Sequence, residues 1–213
     1  MLSRRIFATI ICTSAFFGAE AQASTIIEES QKLNKLGHNQ YDRCNFAAAA
    51  SYYSQAITLN PKLSLAYSCR ADCYHKLGNF SEALNDYNQA LKLQPQDSFN
   101  LGLRAEAKVD LNDLQGALSD YDTAIKMGPT YYFLFADRAK LRLRLHDSTG
   151  AIADCDKAMA FTPCACEPDL YRCRQEAFAE LKKRFFEVGL LSLICFGIYN
   201  FRPAVIDAKS CWR

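Results

Sequence analysis

A period of 34 residues runs through most of this 213-residue chain. The same type of residue recurs at this interval in several columns, and repeated structural units explain such a coincidence. One column consists of Pro61, Pro95, Pro129 and Pro163. Two others hold alanine, namely Ala49, Ala83, Ala117 and Ala151, and Ala56, Ala90, Ala124 and Ala158. We therefore expect a stack of similar units, in which each unit contacts only its neighbours.

Three further columns divide each unit into two halves. Small residues occupy the first half at Gly37, Ala71, Ala105 and Ala139. A further column in the second half holds Tyr53, Tyr87, Tyr121 and Cys155. Between the halves lie Asn45, Asn79, Asp113 and Asp147. Asn and Asp are favoured caps at the start of a helix, and proline ends one, so each unit should contain two helices joined by a short turn. Gly78 suits a left-handed end of the first helix in its unit.

These columns resemble the tetratricopeptide repeat, a 34-residue helix-turn-helix unit. The resemblance covers residues 30–163 without insertion and is clearest from Asn79 to Pro95. It departs from the family pattern at Leu33 and Leu101, which stand where a large aromatic is usual, and at Cys155, which replaces tyrosine. The resemblance implies an all-α, right-handed superhelical solenoid of four repeats. Their predicted ranges are 30–63, 64–97, 98–131 and 132–165.

The register continues beyond the fourth repeat. An arginine column runs through Arg70, Arg104, Arg138 and Arg172. We therefore predict a capping helix or partial fifth repeat over residues 166–184, because the last unit of a solenoid must have its apolar face covered. The arginines are expected to pair with the aspartates of another column, and we interpret this as structural packing. These aspartates are Asp86, Asp120 and Asp154.

Both ends of the chain differ from the repeats. Two arginines, an apolar run from Ile6 to Gly18 and small residues at Ala21 and Ala23 predict a signal peptide over residues 1–23, followed by a linker over 24–29. We expect an exported protein, periplasmic or secreted; a mitochondrial presequence and an uncleaved anchor are the alternatives.

A hydrophobic tail covers residues 185–213, and its uncharged stretch runs from Val188 to Phe201. This stretch is shorter than the ~20 residues that span a bilayer. It could fold back on the solenoid, pair with another subunit or contact a membrane.

Charge and motifs argue against several functions. The formal net charge of +2 provides no basic field for nucleic acid. No glycine-rich phosphate loop occurs, and His38, His75 and His146 stand outside any catalytic motif. We predict no enzyme activity and no cofactor.

Cysteines are frequent, and nine of the ten follow residue 23. Cys155 and Cys173 are expected to meet, because they occupy interior columns of adjacent units, and an exported protein could join them in a disulfide. The chain lacks paired Cys-x-x-Cys motifs, so we predict no metal site. A redox or metal-handling role for the cysteines remains an alternative function.

The resemblance implies that the first helices of the repeats line a concave groove, which takes an extended peptide or a partner helix. The residues predicted to line it share the helix face opposite the packing columns. They are Asn34, His38, Tyr41, Leu65, Ser68, Asp72, His75, Phe99, Glu106, Val109, Phe133, Lys140, Leu143 and Arg144. The leading functional hypothesis is a non-catalytic scaffold or adaptor that binds a protein or peptide, and the alternative is a membrane-attached assembly factor.

One subclass of the family grips a C-terminal carboxylate with Lys, Asn and Arg side chains. The matching positions here hold other residues, namely Asn34, His38, Cys69, Phe99 and Leu103. The carboxylate clamp is therefore absent from this sequence.

Overall fold

A computed structural model describes residues 24–128, 130–161 and 168–187. Within these ranges the chain forms nine helices and no strand. The helices are α1 (24–41), α2 (Phe46–Leu59), α3 (Ser64–Lys76), α4 (Phe80–Leu93), α5 (Ser98–Asp110), α6 (Leu114–Met127), α7 (Tyr132–Arg144), α8 (Ser148–Phe161) and α9 (Pro168–Glu187).

The helices stack in two layers. From α2 onwards each helix packs against the next, and α3, α5, α7 and α9 also contact one another in succession. Among the described helices, no two even-numbered ones make a comparable contact. The odd-numbered helices therefore lie closer together and form the inner, concave layer. The predicted all-α solenoid of helical pairs is confirmed, and each pair contacts its neighbours as expected for a repeat protein.

The sequence columns form the core between the helices of each pair. The alanines of the two alanine columns are fully buried. Tyr53, Tyr87, Tyr121 and Cys155 are buried beside them. The first unit carries glycine where the others carry alanine, because a Cβ atom at Gly37 would lie 2.6 Å from Cε1 of Tyr53. Small residues thus permit the close approach of the two helices around each large side chain.

Each odd-numbered helix from α1 to α7 is followed by a residue with a left-handed backbone. These residues are spaced at the 34-residue period and have φ angles of 59° to 79° at Cys44, Gly78, Asn112 and His146. The sequence indicated this conformation at Gly78 alone. A left-handed residue ends a helix by turning the chain sharply, and here it lets the even-numbered helix start.

The predicted helix caps are present in two of the four units. Asp113 accepts a hydrogen bond from the backbone of Gly116, and Asp147 accepts one from Gly150. Asn45 and Asn79 make no such bond to α2 and α4. A Cβ atom at Gly116 or Gly150 would lie 2.1 Å from the capping carboxylate. The first two units, which lack the cap, hold Ala48 and Glu82 at this position.

The arginine column forms the predicted ladder of ion pairs. Each arginine donates two hydrogen bonds to one aspartate, with N–O distances of 2.6 to 2.8 Å, in the pairs Arg70–Asp86, Arg104–Asp120 and Arg138–Asp154. Each also reaches the preceding even-numbered helix, in the contacts Arg70–Ser54, Arg104–Asn88 and Arg138–Asp122. One guanidinium therefore joins three helices, which confirms the structural interpretation of the column.

The ladder changes at Arg172. This arginine pairs with Asp169 and Glu176 of its own helix. Each aspartate of the ladder lies 16 residues after its arginine. Sixteen residues after Arg172, the sequence has the apolar residue Val188. The sequence therefore supplies no ladder aspartate for the partial fifth unit.

Helix α9 covers the end of the fourth unit, as the capping prediction requires. Leu170 and Cys173 are buried in one cluster with residues of α7 and α8. The Glu180 carboxylate lies 2.6 Å from Nδ1 of His146 and accepts a hydrogen bond of 3.0 Å from Ser148. The helix ends at Glu187, three residues beyond the predicted limit of 184.

The N-terminal boundary of the helical repeats differs from the prediction. The predicted linker over 24–29 is wrong, because these residues form the start of α1. No glycine or proline interrupts residues 24–29, so α1 begins before Ser30, where the first repeat was predicted to start.

The signal peptide over 1–23 and the stretch from Val188 to Phe201 lie outside the described residues and stay predictions. None of the helices that the structure describes is long and apolar enough to cross a membrane.

Candidate functional site

An exposed apolar strip lies at the start of the inner helices. Leu65, Phe99 and Phe133 are each the second residue of an odd-numbered helix, and Tyr131 directly precedes α7. We call these four residues the aromatic strip. The ring centroids of Phe99 and Phe133 are 5.8 Å apart and those of Tyr131 and Phe133 are 5.5 Å apart. Leu65 is 52% exposed, Phe99 47% and Tyr131 42%, so the strip offers apolar contact area to a ligand.

A shallow cavity adjoins the aromatic strip. Phe99 and Tyr131 form one side of it. The loop between α4 and α5 forms the other side through residues 94–98, namely Gln94, Pro95, Gln96, Asp97 and Ser98. Amide and carboxylate groups therefore lie beside the aromatic rings, a combination suited to a peptide with both apolar and polar groups.

Carboxylates occupy the middle of the same inner layer. Asp72 lies on α3, Glu106 and Asp110 on α5, and Asp137 on α7. We call these four residues the acidic patch. The pKa of Glu106 is raised by desolvation and by the carboxylates of Asp137 and Asp110, although positive charge nearby partly opposes this rise. The carboxylates are therefore close enough to affect one another.

Two members of the acidic patch have cationic or imidazole partners and two do not. Asp137 accepts from Nζ of Lys140 at 2.9 Å, and Asp110 lies 2.7 Å from Nε2 of His75. Within the part of the chain that the structure describes, Asp72 and Glu106 form no salt bridge. Their negative charges are therefore available to a ligand.

Tyrosine hydroxyls hold Asp72 in position. The hydroxyl of Tyr87 donates to Oδ1 of Asp72 at 2.9 Å. Burial raises the pKa of Tyr41 to about 12, and its hydrogen bond to Asp72 contributes to this rise. Tyr87 belongs to the buried column of its unit, so core packing fixes the position of a carboxylate in the groove.

The structure places most of the predicted groove residues at the surface of the inner layer. Exposed are Leu65, Phe99, Glu106, Lys140 and Arg144. Partly buried are His38, Tyr41, Asp72, His75, Val109, Phe133 and Leu143. Asn34 and Ser68 are buried, so neither is exposed to a ligand as predicted. Ser68 bonds to Asn100 of the next odd-numbered helix, which shows that this position faces a neighbouring helix.

Sequence reasoning missed three groove residues. Tyr131 lies in the loop after the proline column, where helical spacing gives no prediction. Asp110 follows Glu106 by four residues and shares its helix face, so spacing alone could have found it. Asp137 follows Phe133 by four residues and precedes Lys140 by three, so the same spacing argument applies to it.

The cysteine pair is brought together as predicted. Cys155 and Cys173 are buried in the same cluster between α8 and α9, and both are free thiols in the structure. A hydrogen bond to Cys173, together with burial, raises the pKa of the Cys155 thiol. The disulfide itself stays a prediction. Among the described residues, no three potential metal ligands lie close enough together to hold an ion.

Oxidation of the full-length protein with oxidised glutathione is expected to join Cys155 to Cys173. Such a bond ties α9 to α8 and should raise the free energy of unfolding by about 3 kcal/mol, since it closes a short loop in the unfolded chain. Peptide mass spectrometry and urea denaturation with and without dithiothreitol measure both effects. A Cys173→Ser variant should show no such shift. Absence of the crosslinked peptide from the oxidised wild type would contradict the prediction.

Comparison with known proteins agrees with this architecture. A sequence model of the tetratricopeptide repeat matches residues 64–97, which is the second predicted unit. A thermophilic tetratricopeptide repeat protein of Thermus thermophilus, TTC0263, superposes with a TM-score of 0.61 at 23% identity, over 75% of this chain and 92% of the other. The chain therefore contains one sequence match to the tetratricopeptide repeat, at residues 64–97, and has the fold of tetratricopeptide repeat proteins.

Other solved structures share the same fold. The MamA protein superposes with a TM-score of 0.60 at 14% identity, covering 80% of this repeat protein and 98% of MamA. The first repeat domain of Spaghetti (RPAP3), solved with the HSP90 peptide SRMEEVD, gives 0.54 at 21% identity, covering 55% and 94%. No curated protein matches this chain significantly in sequence.

Proposed function

We propose that this protein is a non-catalytic scaffold that binds a peptide segment of another protein along its inner layer. The observation that carries the proposal is the aromatic strip, in which Phe99 and Phe133 stack edge to face at 5.8 Å on a surface open to solvent. Exposed apolar side chains that are contiguous and flanked by polar groups mark interaction surfaces.

Two observations support a peptide as the class of ligand. The Spaghetti domain has this fold and was solved with an acidic peptide. The positions that would grip a carboxylate hold Cys69, Phe99 and Leu103 in this chain. We therefore infer a peptide ligand whose recognition does not depend on a terminal carboxylate.

The test is selection from a random dodecapeptide display library on the immobilised full-length protein. We expect enriched peptides that bind with micromolar affinity. A Phe99→Ser/Phe133→Ser double variant should bind them at least tenfold more weakly, because burying one such side chain contributes about 1.5–3 kcal/mol. Fluorescence anisotropy of the resynthesised peptides measures the affinities, and far-UV circular dichroism verifies that the variant is folded.

The matched control is Tyr171→Ser/Phe186→Ser on α9, which removes two exposed aromatic side chains away from the strip. Its affinities should equal those of the wild type. Peptides that lose affinity in this control and not in the Phe99→Ser/Phe133→Ser variant would place the binding site elsewhere. Failure to enrich any peptide would reject the proposed function.

A further inference from the structure

Charge in the middle of the groove is predominantly negative. The acidic patch presents four carboxylates between α3 and α7, and Lys76 and Lys140 are the lysines that act on its members. Lys140 contacts Asp137 directly and His75 contacts Asp110, whereas Lys76 acts on Glu106 without a direct contact. Asp72 and Glu106 occupy the same position of consecutive repeats, 34 residues apart, and neither forms a salt bridge within the described residues. A cationic group between α3 and α5 would satisfy both carboxylates.

Asp72 is positioned to accept such a group. Its carboxylate is half-buried, and its hydrogen bonds come from the neutral hydroxyls of Tyr87 and Tyr41. A neutral hydroxyl donor leaves the negative charge of the carboxylate in place. The groove therefore contains a fixed negative charge, and a charge-assisted hydrogen bond to it is stronger than one between neutral groups.

The apolar and acidic features have a regular spacing. Glu106 follows Phe99 by seven residues on α5, and Asp72 follows Leu65 by seven on α3. Seven residues are about two helical turns, so each pair shares a helix face and is separated by about 10 Å along the axis. An extended peptide covers this distance with about three residues, and in a polyproline II conformation such side chains lie on the same side.

We propose that the groove selects an extended peptide in which a Lys or Arg lies two to four residues from an aromatic or aliphatic anchor. The anchor packs on the aromatic strip, and the cation binds between Asp72 and Glu106. This inference rests on the proposed function and names the chemistry of its ligand. The groove thus has the opposite polarity to one that takes an acidic peptide.

The display selection described above also tests this inference. Enriched peptides should carry net positive charge, with Lys or Arg near the anchor. Changing that cation to Gln in the resynthesised peptide should weaken binding to the full-length protein about tenfold or more, since a hydrogen bond to a charged group contributes about 1.5–3 kcal/mol. The affinity of the cationic peptide should fall as salt rises, and that of the Gln peptide should not.

An Asp72→Asn/Glu106→Gln double variant tests the two carboxylates. It should bind the cationic peptide at least tenfold more weakly and should bind the Gln peptide as the wild type does. The matched control is Asp156→Asn/Glu82→Gln, which makes the same charge change on α8 and α4, in the outer layer. This control should leave both affinities unchanged.

The outcomes separate the inference from the proposed function. Enriched peptides that are acidic or neutral, bind through Phe99 and Phe133 and are insensitive to the Asp72→Asn/Glu106→Gln change would overturn the inference and leave the proposed function standing. Equal weakening by the outer-layer control would also overturn it, because the effect would then be one of net charge. A library from which no peptide is enriched would reject both.

Discussion

An Asp154→Asn variant is expected to lose about 3–5 kcal/mol of its free energy of unfolding, since removing the buried carboxylate leaves Arg138 with only the partly exposed Asp122 to offset its charge. Asp154 is 1% exposed and accepts hydrogen bonds from Arg138 and Arg142 at 2.6 to 2.8 Å. Asparagine offers one acceptor oxygen and turns an NH₂ group towards the guanidinium groups. Urea denaturation followed by circular dichroism at 222 nm measures the loss.

Asp156→Asn is the matched control for this prediction, because it makes the same chemical change two residues along the same helix. The Asp156 side chain is 50% exposed and pairs with Arg174 at 2.7 Å. A surface pair of this kind contributes at most about 1 kcal/mol. Equal losses in the two variants would show that burial of the ladder adds nothing to its contribution.

Replacing Tyr87 by alanine is expected to lower the free energy of unfolding by about 3–5 kcal/mol, the cost of removing a buried aromatic side chain. Tyr87 is 1% exposed and packs among Ala71, Ala83 and Ala107, which are too small to fill the resulting cavity. We expect the melting temperature to fall by about 10 °C, which scanning calorimetry measures.

Two companion variants separate the contributions of Tyr87. Tyr87→Phe keeps the ring and removes only the hydroxyl that donates to Asp72, so it should cost about 1 kcal/mol. Tyr171→Ala removes a tyrosine that is 38% exposed on α9 and should change stability by less than about 1 kcal/mol. If Tyr87→Ala were no worse than Tyr171→Ala, the tyrosine column would not be the core of its unit.

Repeat spacing predicted much of the local structure and missed some of the turns. The columns located every helix pair and the arginine ladder, because a repeat that stacks on copies of itself must place equivalent residues in equivalent environments. The left-handed turn was predicted at Gly78 and missed at Asn112 and His146, although Asn and His adopt such φ angles more often than most residues. At Cys44, with a φ angle of 59°, the residue type gives no such signal.

In the candidate site, too, the sequence predicted some features and only the tertiary structure revealed others. Helical spacing by itself determined that Phe99, Phe133 and Glu106 share the inner face. Only the tertiary structure decided that Ser68 is covered by the next helix, that Tyr131 joins the aromatic strip from a loop, and that His75 of α3 lies beside Asp110 of α5. The physical reason is that periodicity specifies the direction of a side chain from its own helix axis, whereas exposure and charge pairing depend on which neighbouring helix lies in that direction.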